Sequence, residues 1–532
     1  MYKKCSTFLG ILLLSAQIPP LAAAPYEPSA GLQMLVQSLP DACPGMTSHF
    51  TQHDTLRLLD FYQQRAFQPA WAQPSQLIAL ASQLEQLADD GLNPDSYQLQ
   101  AIRQMAGQPT ADLQQQQCND LLASQAYLQA LHDLSHGRLQ QEQIEPLWHS
   151  PMTPPIPAQL TLNNRQRDLN DLPGAFADAR PATSQYQHLR RSYAQQRQLP
   201  LSDWPQIPAG PLLKPGKSDP RLPLIEQRLI GEGYLPATAA NPDDLQYSPQ
   251  RLAALQAFQQ QHALQADGIV GPGTLTELNI SAARRLDQLR VNLERWRWLS
   301  ADLDAEIFLV DISGGQLSYY QDRVLIWKTR TQVGRAERQT PLLKSMLNRV
   351  TLNPTWTVPP TILKKDKIPA IQADLAFLAE HQLRVLDLQG NELDPATVDW
   401  ARPGAIMLRQ DAGPNNPLGK MALRFPNPFS VYLHDTPSQA LFEKSPRPFS
   451  SGCVRVEGVA RVLELLLTPA ELQHVNSLLA TGNTLEYKLP SPVPILVAYW
   501  TAEADENGRP LYRPDIYGHD ARLLAALNAA TR

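Results

Sequence analysis

The 532-residue sequence holds only four cysteines and no excess of basic residues. Beyond residues 1–24 it also lacks any apolar run approaching the roughly 20 residues that span a bilayer. Each shortage excludes something. With 46 Lys and Arg against 51 Asp and Glu, the formal charge of −5 offers no electrostatic footprint for nucleic acid. Neither a P-loop nor a Cys/His cluster with ligand spacing is present, so no nucleotide, metal or other cofactor is expected. What the chain does have is apolar content, 43%, enough to build cores. It also has 48 prolines, about 9% against a usual ~5%. Many loops and linkers follow, and an all-helical reading fails. At roughly 150 residues per domain the length suggests three or four domains.

The first residues carry Lys3 and Lys4, then the apolar run Phe8 to Leu14, then the small residues Ala22 to Ala24. That order is the pattern of an export signal over 1–24, too short to span a membrane. The expected destination is the periplasm, with no transmembrane segment in the mature chain. Without Cys5, three cysteines remain, and an odd number in an oxidising compartment suggests one disulfide and one free thiol. Cys43 and Cys118 share the N-terminal region and are the expected pair; Cys453 is left over.

Residues 25–217 read as a helical scaffold. Leu77, Leu80, Leu84 and Leu87 repeat at helical spacing before an Asp90-Gly91 stop, and proline clusters interrupt the segment at 151–157 and 205–215. His132 and His136 stand four apart, the spacing of a zinc-binding helix. Asp133 replaces the glutamate such a site needs, so surface or capping histidines are the better reading. Residues 218–280 read as a compact three-helix module. Its stretch from Ala257 to Thr274, with Asp267-Gly-Ile-Val-Gly-Pro-Gly-Thr274, resembles the peptidoglycan-binding module of wall enzymes. A linking helix with Glu294-Arg-Trp-Arg-Trp298 follows. From 281 to 532 the pattern turns to strands: 306–312, 316–320, 324–327, 405–408, 430–433 and 494–500. Such spacing suggests a sandwich or barrel, and an insertion over about 354–410 reads as a cap. The expected fold class is a multidomain α+β chain: helical scaffold, three-helix module and mostly β, sandwich-like domain.

One constellation carries chemistry. Val431-Tyr-Leu-His434 precedes Ser450-Ser-Gly-Cys453-Val-Arg455 by a short loop. A thiol is a weak nucleophile until an imidazole takes its proton, which would make Cys453 and His434 a thiolate–imidazolium pair. Gly452 lets backbone N–H groups approach a carbonyl, so those of Gly452 and Cys453 are candidates for an oxyanion hole. Arg455 is placed to fix geometry or hold a carboxylate. Read on its residues alone, a lone cysteine of this kind is as readily a buried small hydrophobe as a nucleophile.

The stretches Tyr432-Leu-His-Asp-Thr-Pro437 and Phe449-Ser-Ser-Gly-Cys-Val-Arg-Val456 resemble the signature of L,D-transpeptidases with a YkuD-type catalytic domain. Ser451 stands where that signature usually has histidine, as in the long, periplasmic YcbB-like subgroup. Asn353 to Pro360, Arg409-Gln410, Asn415 to Gly419, Phe425 to Asn427, Asp515 to Asp520 and Asp89 to Asp95 resemble that subgroup too. The resemblance implies a cysteine acyltransferase working on peptidoglycan stem peptides and forming 3→3 cross-links between diaminopimelate residues. Cys453 would be the nucleophile and His434 the general base. Ser450 and Ser451 would orient the cysteine loop. Tyr432 would pack under the imidazole or touch substrate, and Trp356 and Asn416, near the cap, are candidate substrate contacts. Other expected partners are proteins of wall synthesis. Hydrolysis of the same thioester, or a non-catalytic wall-binding scaffold, are the competing readings.

Overall fold

Proline, glycine and the change from helical to alternating periodicity divide this chain into pieces. A computed structural model describes residues 28–43, 46, 50–155, 161–200, 204–239, 241 and 243–530. The expected export signal lies outside the described residues. Among these residues, no helix is long and apolar enough to cross a membrane.

The described residues fall into two compact units. One comprises those up to Ile78 together with Ala101–Leu128; the other comprises Ala79–Gln100 and those from Gln129 onward. The segment expected as one helical scaffold thus contributes to both. In the first unit the buried Asp120 accepts the backbone N–H groups of Ala70 and Trp71 and the Tyr62 hydroxyl. Cys43 and Cys118 form a disulfide, with their Cα atoms 5.4 Å apart, and Cys453 is the free cysteine.

In the second unit the three expected helices of the small module are Leu222–Gly231, Pro249–Gln261 and Pro272–Leu278. Ile225, Leu229, Leu255, Phe258 and Leu278 meet at its centre. Gly268 has φ +71°, a turn that an L side chain resists, and its N–H donates to Gln259 Oε1 at 2.8 Å. The linking helix Ala282–Leu299 is buried through its last turns. There Trp296 stacks on Trp500 at 4.6 Å, and Arg295 is shared between Glu145 and Asp520. Charges this deep hold only when paired. The buried helix therefore ties 129–149 to the C-terminal segment.

The strands run β1 Trp148–His149, β2 Ile307–Asp311, β3 Gln316–Gln321, β4 Val324–Gly334, β5 Leu343–Leu352, β6 Trp356–Thr357, β7 Leu383–Asp387, β8 Ile406–Gln410, β9 Met421–Arg424, β10 Leu433–His434, β11 Pro448–Ser450, β12 Val454–Val456, β13 Leu485–Ala498, β14 Ala502–Ala504 and β15 Pro510–Tyr512. The main sheet has the order β1-β5-β13-β2-β3-β4-β12-β10-β9, and β9 pairs back onto β5. The sheet therefore closes on itself, the barrel form of the two that the strand spacing allowed. Phe308, Leu317, Leu347, Val350, Leu423, Leu433, Val454 and Ile495 fill its interior. Together these pieces make a multidomain α+β protein with a helical N-terminal region, a helical module and a β-rich domain.

The segment 430–433 is mostly loop rather than strand. Ser430 has φ +57°, and Asn427 Oδ1 and Nδ2 take the N–H and carbonyl of Val431, groups a ladder would otherwise use. Strand β5 escapes an apolar reading because Lys344 and Ser345 interrupt it. Lys344 pairs with Asp302 and Asp304, and the Ser345 hydroxyl donates to the Pro426 carbonyl. The inserted segment builds a separate three-stranded sheet, β6-β8-β7, with helical turns at Ile368–Ala373 and Phe377–Glu380 over its own small core.

Candidate active site

Register places the candidate residues. Strands β10 and β12 run parallel, with Leu433 opposite Val454 and His434 opposite Arg455. Leu433, Val454 and Val456 point into the barrel core. Alternation then sends Tyr432, His434, Cys453 and Arg455 to the other face. One step before the paired residues, Tyr432 lies beside Cys453. Tyr432 is thus the registered neighbour of Cys453 on the adjoining strand. His434 is the diagonal neighbour of Cys453, a separation of about 7–8 Å between backbones that long side chains bridge. Ala422, opposite His434 on β9, leaves the imidazole room.

His434 is buried, and its Nδ1 bonds the Asp435 carbonyl at 2.5 Å. Burial, with the charges of Arg455 and Arg424, pushes its pKa down to about 3. Burial also pushes the Cys453 thiol up, against the pull of Tyr432, Arg424 and Arg455. Both shifts favour the neutral thiol and neutral imidazole over the thiolate–imidazolium pair. The sulfur rests against the Ser430 carbonyl at 3.7 Å, and no hydrogen bond joins it to His434 among the described residues.

The loop carrying the cysteine is held from several sides. Gly452 has φ +119°, where only glycine sits without strain. The Ser450 hydroxyl donates to the Cys453 carbonyl at 2.5 Å and accepts the Gly452 N–H at 3.1 Å. That engages one of the two candidate oxyanion donors, while the Cys453 N–H has no partner among the described residues. Thr340 Oγ1 donates to the Gly452 carbonyl at 2.8 Å and accepts the Gly334 N–H at 2.9 Å. The Tyr517 hydroxyl accepts the Thr340 N–H and donates to the Gly334 carbonyl. The 515–520 motif thus acts as a buttress for this loop, a part that its sequence did not disclose. Ser451 Oγ accepts from Arg338 at 3.1 Å, and Arg338 is paired with Asp366 of the inserted segment at 2.6 Å. Asp366 lies in a stretch of π-helix over Leu363–Lys367, a form enriched at functional sites.

Arg455 Nη1 donates to Gln332 at 3.0 Å, and its buried Nε has no partner. Gln332 and Arg424 are site neighbours that sequence patterning missed, because distant strands bring them in. The Arg424 guanidinium lies 3.9 Å from the Tyr432 ring centroid. Two other sequence candidates sit elsewhere in the fold. Trp356 is half-buried on β6, against the insertion core and 5.6 Å from Lys367 Nζ. Asn416 is buried, its amide donating to the carbonyls of Pro354 and Asp411 and accepting the Leu418 N–H. It fastens the base of the insertion. His132 and His136 stack 5.0 Å apart, and the buried Asp133 between them binds Tyr97 and Arg138. That cluster is structural.

Family models match three segments: a scaffold domain at 57–192, a "Putative peptidoglycan binding domain" at 218–278, and the YkuD L,D-transpeptidase catalytic domain at 305–472. A curated relative from Haemophilus influenzae, named "Putative L,D-transpeptidase", is 37% identical over 247 residues, 45% of this chain and 50% of the relative. The match thus spans about half that relative's length. Among solved structures, an L,D-transpeptidase from Xylanimonas cellulosilytica aligns at 16% identity over 55% of this chain and 99% of its own, with a TM-score of 0.18. One from Mycobacterium smegmatis aligns at 13% identity over 36% and 58%, also at 0.18. Overlaps at this score carry no argument. The free cysteine, the buried histidine and strands β2 to β12 fall within the matched catalytic segment, while β1 and β13 of the main sheet lie outside it. In order along the chain, then, lie segments that match a scaffold domain, a peptidoglycan-binding domain and the YkuD L,D-transpeptidase catalytic domain.

Proposed function

We propose that this protein is an L,D-transpeptidase that forms 3→3 cross-links in peptidoglycan through a thioester on Cys453. The observation carrying the reading is the shared sheet face: Cys453 and His434 as diagonal neighbours on paired strands, within the catalytic-domain match. His434 takes the thiol proton, and the sulfur attacks the carbonyl of diaminopimelate in a donor tetrapeptide. The Cys453 N–H faces the oxyanion. His434 returns the proton to the leaving D-alanine amine, which leaves a thioester. The side-chain amine of an acceptor diaminopimelate then attacks, giving its proton to His434, and the thiol is restored. A neutral imidazole is the form that can accept these protons, and efficient transfer needs its pKa raised toward the operating pH once substrate is bound. The resting sulfur has to turn from Ser430 toward His434, as hydrogen bonds in ligand-free sites commonly tighten on binding.

The peptidoglycan-binding domain and the Cys43–Cys118 disulfide support an extracytoplasmic place in the cell envelope, and the 1–24 pattern supports export to the periplasm. The test is incubation with disaccharide-tetrapeptides, read by mass spectrometry. Dimers lacking one D-alanine, absent with Cys453→Ala, are the expected product. Tripeptide without dimer would replace transfer by hydrolysis, and no change at all would overturn an acyltransferase.

A further inference from the structure

The sheet register sets out a row of residues across the outer face that ends at the nucleophile. Lys488 on β13 pairs with Arg349 on β5, and Arg349 pairs with Arg424 on β9. Arg424 continues the antiparallel pairing of β9 with β10 to Tyr432, whose ring its guanidinium covers. Tyr432 lies beside Cys453, one step before the pair Leu433 and Val454. Registered neighbours in a sheet point the same way, so three cations stand side by side on one face and lead to the sulfur. Among the described residues none of the three forms a salt bridge, and neither does Arg455. Its buried, unpartnered Nε lies on the same face, two residues beyond Cys453.

Like charges directly opposite in a sheet destabilise it. Arg349 beside Arg424 and Lys488 beside Arg349 therefore make poor sense as structure. The adjacent row of the same face reads Glu486, Thr351, Ala422, His434 and Arg455. Its one carboxylate is engaged by the Thr351 hydroxyl at 2.6 Å, and that oxygen in turn accepts from Arg424 Nε at 3.1 Å. This holds Arg424 in place while leaving its terminal nitrogens without a carboxylate. Strands lie about 4.8 Å apart, so the row from Lys488 to Cys453 runs roughly 19 Å. About six extended residues cover that length at about 3.3 Å per residue, so a four-residue stem, about 13 Å long, reaches from Cys453 past Arg424 to about Arg349.

We propose that Arg424, Arg349 and Lys488 form a carboxylate-binding track that seats an acidic stem peptide with its reacting carbonyl at Cys453. The inference rests on the proposed function for the identity of the peptide, and on the register for the track. Arg424 makes the partly buried, charge-assisted contact nearest the sulfur; Arg349 and Lys488 guide the exposed remainder.

The test is equilibrium binding of a disaccharide-tetrapeptide, and of the same compound with its carboxylates converted to amides, to Cys453→Ala protein with and without substitutions in the track. Arg424→Gln should weaken binding of the acid by about 10- to 100-fold. Arg349→Gln and Lys488→Gln should weaken it by about two- to fivefold each, as exposed pairs do. Amidated peptide should bind weakly and equally to all of them. On a Cys453 background, Arg349→Gln and Lys488→Gln should raise KM for the acid while leaving alkylation of Cys453 by neutral iodoacetamide unchanged. Equal losses for acid and amide, or unchanged binding of the acid, would overturn the track. Binding without turnover by the wild type would overturn the proposed function and leave the track standing.

Discussion

Tyr517→Phe removes one oxygen and strands two backbone groups. The Tyr517 hydroxyl accepts the N–H of Thr340 at 3.0 Å and donates to the carbonyl of Gly334 at 2.7 Å. Thr340 is buried, and so is the end of β4 that carries Gly334. An unsatisfied buried polar group costs about 1–3 kcal/mol, so the two together should cost about 2–6 kcal/mol. The ring itself is kept, stacked on Tyr499 at 5.4 Å, so no cavity adds to the loss. For a catalytic domain of this size the unfolding temperature should fall by about 4–24 °C. Function should fall as well, since Thr340 Oγ1 holds the carbonyl of Gly452, next to the nucleophile. Calorimetry gives the first quantity, and the rate of covalent capture of a carbapenem, followed by intact mass, gives the second. An unfolding temperature within about 1 °C of wild type, with an unchanged capture rate, would refute the buttress.

Three further outcomes follow from the same geometry. With a neutral resting pair, alkylation of Cys453 by iodoacetamide should accelerate about tenfold per pH unit between pH 6.5 and 8.5; a pH-independent rate would mean a preformed thiolate. His434 has its folded pKa depressed to about 3 against an unfolded 6.5, so the unfolded chain binds more protons between those values. Stability should fall as pH drops through that window, and His434→Gln should flatten the slope in urea titrations. Replacing Cys43 and Cys118 by alanine opens a cross-link between residues 75 apart and should cost the N-terminal unit about 2–5 kcal/mol in urea unfolding; a loss under about 0.5 kcal/mol would contradict it. Asp366→Asn breaks the pair with Arg338, worth about 0.5–1 kcal/mol at this exposure, and should speed hydrogen exchange across 356–373; unchanged exchange would contradict a fastening role.

The free cysteine, the histidine upstream of it and the three-helix module were legible because each is local: a short motif, a spacing, an Asp-Gly turn. Cys43 and Cys118 were the expected pair because both lie in the N-terminal region, but their approach to 5.4 Å between Cα atoms is set by the fold. Closure of the sheet was not, because β5 meets β9 across some 70 residues, and no local pattern encodes that pairing. The same distance hid Arg424, Gln332, Thr340 and Tyr517, which reach the site only once the strands are in register. The protonation state of the pair escaped for another reason. It is decided by burial and by two arginines, neither of which residue type alone can set. Asn416 was read as a candidate substrate contact from its place near the insertion; the four backbone partners that engage its buried amide in holding a loop are visible only in the fold.

The central claim is that a stem peptide is carried as a thioester on Cys453. The most direct measurement is intact-protein mass spectrometry after rapid acid quench of a reaction with disaccharide-tetrapeptide, followed by peptide mapping. One adduct per chain is expected, equal in mass to the donor less D-alanine, on the peptide containing Cys453 and absent from Cys453→Ala. An adduct on another residue, or cross-linked product formed by the Cys453→Ala protein, would contradict the account.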